Sequence, residues 1–166
     1  MNVINPNPKI NSTIEYDSEF LLKRNEEEKN DEIEDVLDKY EIFDIIRNIY
    51  DPEHPLTLEQ INVVNLDDIF IDNENKIITV YYTPTIPNCT LSSGIGLSIK
   101  VKLLNTIDKL YKIDVLVKPG TQELEDNVNK QLCDKERVLS AIESDNMNKL
   151  LSKIIKDDNE FEEVYK

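Results

Sequence analysis

Two prolines, Pro84 and Pro87, cut the chain between a β-branched, aromatic run and a long apolar segment in the stretch TPTIPNCTLSSGIGLSIKVKLL, Thr83 to Leu104. Proline lacks an amide proton and has a fixed φ, so neither a central strand nor a helix continues through it. Residues 84–88 are therefore expected to form an ordered loop leaving the end of a strand. Cys89, one of only two cysteines, then falls at the first turn of the next element. If that element is a helix, its free amides and positive dipole end favour the thiolate, the form that binds iron or attacks a disulfide.

The flanking segments show clearer periods. Ile33, Val36, Leu37, Tyr40, Phe43, Ile46 and Ile49 recur at helical spacing and predict a helix from Glu32 that Asp51-Pro52 ends. Thr57 and Gln60 match a capping box and predict a short helical turn. Ile69 to Ile71 and Ile77 to Tyr82 are rich in β-branched and aromatic residues around the polar turn 72–75, which reads as a hairpin. Between Leu91 and Ile107 the pattern is ambiguous. Ile95, Leu97, Ile99, Val101 and Leu103 alternate as in a strand, while Leu91, Ile95, Ile99, Leu103 and Ile107 repeat every fourth residue over a length unusual for one. Lys112 to Val117 alternates as a further strand, Pro119-Gly120 turns, and Thr121 can cap the helix that follows. Asp134 is placed to cap a helix bearing Val138, Leu139 and Ile142, and Leu150, Leu151, Ile154 and Ile155 suggest a last one.

A chain of 166 residues with 39% hydrophobic content can fill one modest core, so a single domain is expected. Composition divides it into a disordered acidic arm over 1–31, a folded domain over 32–156 and an acidic tail over 157–166. Between Glu15 and Glu41 stand 12 acidic and 4 basic residues, more than half of the formal net charge of -15. That balance argues against direct nucleic-acid binding, which needs a basic face. Neither a signal-like apolar stretch at the start nor a run long enough to span a bilayer is present, and two cysteines make no disulfide framework. A reducing compartment and no membrane contact are the simplest expectation.

Four segments, IRNIYDPEHPLTLEQINVV, TPTIPNC with GLSIKVKLL, KPGTQELEDNVNKQL and DKERVLSAIES, occur in an order that resembles the cytosolic iron-sulfur assembly component 2 family. The likeness covers 38–144 and is nearer the general-purpose branch, judged by DPEHPLTLE. It resolves the ambiguous segment as a helix. The implied fold is α+β, a small single domain with a short mixed three-stranded sheet packed by helices. The resemblance also implies an adaptor, not an enzyme, that recruits apoproteins and helps insert iron-sulfur clusters. Implied partners are a WD-repeat subunit, a large helical-repeat scaffold and iron-sulfur client proteins of cytoplasm and nucleus, replication and repair enzymes among them. A homodimer is compatible with it. No stably bound cofactor is implied, only a cluster in transit.

Family members carry a reactive cysteine where Cys89 stands, which makes it the candidate thiol and transient cluster ligand; one cysteine cannot supply the four ligands of a binuclear cluster. The bland alternative is a small buried hydrophobe. Cys133 departs from the family pattern and reads as a tolerated small residue. Asp51, Glu53 and His54 in DPEHP could imitate a metal site, although adjacent positions in a turn seldom converge on one ion, and a polar stop is the simpler reading. The shared motifs mark Asp51, Glu53, His54, Lys130, Asp134, Glu136 and Arg137 as a candidate partner surface. Lys100, Lys102, Lys109 and Lys112 form a basic cluster that reads as a solvated helix face. Phe20, Leu21 and Leu22 read as a chance apolar cluster or a short docking motif. A contrasting function class uses Cys89 as a nucleophile with His54 as its base, or both as ligands of a stable metal module.

Overall fold

The structure, a computed structural model, describes residues 9–28, 36–52, 54–85, 92–145 and 148–149. The elements are α1 (Ser18–Glu28), α2 (Lys39–Arg47), β1 (Val64–Asp72), β2 (Ile77–Tyr82), α3 (Ser92–Thr106), β3 (Lys112–Val117), α4 (Glu125–Cys133) and α5 (Lys135–Glu143). The strands form one sheet in the order β1-β2-β3, the first pair antiparallel and the second parallel. This is the small α+β domain with a mixed three-stranded sheet that the sequence led us to expect. Parallel neighbours need a crossover, and α3 supplies it.

Buried side chains alternate with half-exposed ones along β2 and β3, so one sheet face meets the helices and the other faces outward. Ile78, Val80, Tyr82, Ile113, Val115 and Val117 join Ile42, Phe43 and Ile46 of α2 in the core. On the outward face Phe70 and Tyr81 stand edge to face, their ring centroids 6.0 Å apart. The hairpin turn is held by Asp72, whose carboxylate accepts from the Asn75 amide at 2.9 Å and its side chain at 2.7 Å, while Lys76 takes the left-handed φ of 55°. The Thr57–Gln60 capping box forms reciprocally, at 3.0 and 3.3 Å.

α3 explains why its periodicity was ambiguous. It is buried on nearly every side from Ile95 to Leu103, so both apolar spacings are satisfied at once. At Gly96 the helix approaches so closely that a Cβ would lie 2.6 Å from Leu132 Cδ1 and 2.7 Å from Tyr82 Oη. Lys100 does not belong to a solvated face as the basic cluster suggested. It is buried, and its ammonium donates to the Leu132 carbonyl in the last turn of α4, where a helix accumulates unpaired carbonyls. Burial pushes the Lys100 ammonium below the usual lysine range.

Several local expectations need correction. α2 begins at Lys39 rather than Glu32, because Asp38 and Glu41 form a full capping box, and Val36 is exposed. β1 starts at Val64, well before Ile69, since its polar Asp68 is buried against Lys118 at 2.8 Å and so does not read as strand. Thr121 does not cap α4. Its hydroxyl donates to the Lys118 carbonyl at 2.6 Å, and the N-cap is Leu124 without a side-chain bond. Asp134 does cap α5, accepting from the amides of Glu136 and Arg137. Leu150, Leu151, Ile154 and Ile155 lie outside the described residues.

The acidic arm is the largest departure. Disorder was expected over 1–31, yet residues 9–28 run along α2 as a strap ending in α1. The Asn11 amide donates to the Gln60 carbonyl at 2.8 Å, Tyr16 and Phe20 pack on Tyr40, and Arg24 pairs with Asp44 at 3.4 Å. Burial, with the Asp44 carboxylate beside it, pushes the Tyr16 phenol up to about 12. Composition failed here because the anchoring is done by two aromatic rings of the arm and a few polar and backbone bonds, whose partners a hydrophobic average does not show.

Two outcomes follow for stability. Gly96→Ala should lower the unfolding free energy by about 1–3 kcal/mol in urea titrations despite alanine's better helix propensity, because Tyr82 is held in place and cannot yield. Wild-type stability would show that Leu132 and Tyr82 shift freely. For Lys100 the unfolded amine keeps its proton to higher pH than the folded one, so unfolding takes up a proton between the lowered folded value and the ordinary value near ~10.4. Stability should therefore rise with pH through that window, and Lys100→Met should flatten the rise in urea midpoints followed up to about pH 10.

Candidate functional site

The candidate site is the junction of β2 and α3. Tyr82, the last residue of β2, is fully buried, and its hydroxyl donates to the Ser92 carbonyl at 2.8 Å. Burial holds that phenol well above the ordinary tyrosine range. From the other side Gln122, in the connection from β3 to α4, donates through Nε2 to Ser92 Oγ at 2.7 Å. Gln122 is itself buried, and its Oε1 has no hydrogen-bond partner, an arrangement that costs roughly 1–3 kcal/mol. The first residue of α3 is thus gripped from the sheet below and from the β3–α4 loop. Cys89 lies outside the described residues and precedes Ser92 by three positions in the sequence.

Beside this junction an open groove of about 640 Å³ runs between α3, α4 and α5. Leu97, Leu132, Val138 and Ala141 make its apolar part, and Ser93, Gln131, Asp134, Glu136, Arg137 and Ser140 its polar rim. Four residues of the DKERV motif, Asp134, Glu136, Arg137 and Val138, are therefore brought to the same groove as the second residue of α3. Asp134 has a structural duty as well, ending α4 and capping α5, and Arg137 Nε lies 3.4 Å from its carboxylate.

The other expected site residues are not part of the groove lining. Lys130 is exposed on α4, where its carbonyl accepts from the Asp134 amide at 3.2 Å. Asp51 is buried and acts as a turn former, Oδ1 accepting from the His54 amide at 2.8 Å while its own amide donates to the Leu56 carbonyl at 2.9 Å. His54 is half-buried in that turn, and Glu53 lies outside the described residues. Among the described residues no group of three or more His, Cys, Asp and Glu side chains comes together as a metal site. Cys133, the last residue of α4, is exposed and not disulfide-bonded.

Sequence reasoning missed Tyr82 and Gln122. Tyr82 read as one more β-branched or aromatic strand position, and nothing in PGTQELED distinguishes a buried glutamine from a solvated one. Only the topology, which returns the chain from β3 beneath the start of α3, brings Gln122 to Ser92.

No family model matches the sequence. Individual proteins do. The chain is 46% identical over 149 residues to cytosolic iron-sulfur assembly component 2B of Dictyostelium discoideum, spanning 84% of this chain and 89% of that protein. It is 46% identical over 151 residues to the MIP18 family protein galla-2 of Drosophila melanogaster, spanning 91% and 94% of the two chains. With mouse cytosolic iron-sulfur assembly component 2B the identity is 47% over 128 residues, covering 77% and 78%. Likeness of this degree over nearly the whole length leaves one conclusion: the chain belongs to the cytosolic iron-sulfur assembly component 2, or MIP18, family.

Proposed function

We propose that the protein is a non-catalytic adaptor of cytosolic iron-sulfur protein assembly, recruiting apoproteins so that clusters are inserted into them, with Cys89 as its reactive thiol. The observation that carries the reading is 46% and 47% identity, over 84% and 77% of this chain, to proteins named for iron-sulfur assembly. The cluster is cargo in this scheme. Its ligands beyond Cys89 come from a client, another subunit or a small thiol, because a binuclear cluster takes four. A WD-repeat subunit and a large helical-repeat scaffold are the partners, and the cytoplasm, with the nucleus, is the place of action. Among the described residues no helix is long and apolar enough to cross a membrane.

Support for Cys89 is local. The next described element in sequence is the 15-residue helix α3, whose first residue, Ser92, follows the cysteine by three positions, and a thiol at a helix N-terminus is favoured as thiolate. The groove beginning at Ser93 offers an apolar strip edged by Asp134, Glu136 and Arg137, a surface suited to a protein partner.

Cys89→Ser should leave far-UV circular dichroism unchanged and lower iron incorporation into client proteins in cells carrying the variant, because a hydroxyl does not ionise near neutral pH and binds iron far less readily than thiolate. Cys133→Ser, at an exposed position, should be neutral in both measurements. Normal client iron with Cys89→Ser would reduce that residue to packing. Affinity capture at native expression should recover a WD-repeat protein in near-stoichiometric yield, and recovery of the chain alone would remove the adaptor reading.

A further inference from the structure

Arg47 at the end of α2 and Glu59 in the following turn form a two-pronged ion pair, Nε to Oε2 at 2.8 Å and Nη2 to Oε1 at 2.9 Å. Both side chains are largely buried, with 13% and 6% exposed. The same two end atoms reach outward to one residue of the strap. Glu59 Oε1 accepts from the Ile14 amide at 2.6 Å, and Arg47 Nη2 donates to the Ile14 carbonyl at 2.6 Å. Both peptide groups of a single residue are thus taken by side chains, as a neighbouring strand would take them. None of this reads the Ile14 side chain, which is 40% exposed.

Selectivity enters further along. Tyr16, two residues on, packs edge to face on Tyr40 and donates to Asp44 Oδ1 at 2.9 Å, and the Phe20 ring lies 4.8 Å from that of Tyr40. Arg47 also lies 5.6 Å from the centre of the Tyr16 ring. Leu21 and Leu22 of α1 face away and are exposed. Little apolar surface therefore holds the strap; two rings and a few polar contacts do. An apolar patch would anchor a permanent strap at least as well, since replacing a buried ion pair by packed apolar residues is often neutral or stabilising.

We propose that the Arg47–Glu59 pair and the Tyr40–Asp44 face of α2 form a peptide-docking site that residues 11–24 fill in cis. Its ligand is a protein segment whose extended part gives one residue's backbone to the ion pair and which, turning into a helix, places aromatic side chains two and six residues later. A partner segment of that chemistry displaces the strap. This site is separate from the α3–α5 groove and does not depend on any role of Cys89.

The test uses the full chain carrying Tyr16→Ala and Phe20→Ala, which weakens the cis segment and leaves Arg47, Glu59, Asp44 and Tyr40 in place. A fluorescein-labelled peptide of residues 9–26 is the probe, followed by anisotropy. It should bind the double variant at least about ten-fold more tightly than the wild-type chain, where the tethered strap competes at millimolar effective concentration. Adding Glu59→Ala should abolish binding, as should Tyr16→Ala and Phe20→Ala in the peptide. No binding to the folded double variant, or binding indifferent to Glu59, overturns the proposal. Should the double variant not fold, amide exchange in the wild-type chain decides. Exchange of Asn11 and Ile14 at least about ten-fold faster than Phe43 supports a separable strap, and exchange of all three only with global unfolding overturns it.

Discussion

The hydrogen bond from the buried Tyr82 hydroxyl to the Ser92 carbonyl is the contact on which the rest of the architecture turns. It ties the end of β2 to the start of α3 across a gap of nine residues that includes two prolines and Cys89. With that end set, α3 can lie against the sheet closely enough that only glycine fits at position 96. Leu132 of α4 closes the same contact from the far side, and Lys100 completes it by meeting the carbonyl of that leucine. Sheet, crossover helix and α4 therefore share one small volume, and a change in any of them reaches the residue that begins α3.

Much of this was legible from residue order, and the exceptions have physical causes. β-branched runs on either side of DNEN announce the hairpin, and Asp134 before Lys135 announces a cap. The alternation in Ile95 to Leu103 does not distinguish strand from helix, because a helix buried all round erases the contrast that periodicity needs. Asp38 and Glu41 carried a capping signal that the apolar spacing from Ile33 onward overran. At the candidate site, family motifs brought Asp134, Glu136 and Arg137 to notice, whereas Gln122 has no local signature and is defined only by where the chain returns.

Charge in this protein is poorly described by its total. A net of -15 suggests solvation, yet its buried charged groups include Arg47 with Glu59, Asp68 paired with the exposed Lys118, and Lys100 with a helix-end carbonyl. Such groups are weak sources of stability but strong constraints on register, since each is satisfied only when particular elements meet. Arg47 illustrates the balance. Burial works against its charge, and hydrogen bonds to Glu59 and Asp44 more than offset it, so its pKa is raised.

The parallel pairing of β2 with β3 has a consequence for how the chain reaches this state. Ile78 and Ile113 are neighbours in the sheet although the whole of α3 separates them in sequence, so the third strand can join only after a long loop has closed. Contacts of this kind slow folding, and until they form the apolar segment from Ile95 to Leu103 lacks part of the surface that covers it. A freshly made chain thus presents an apolar stretch before the strand that completes its burial has been docked.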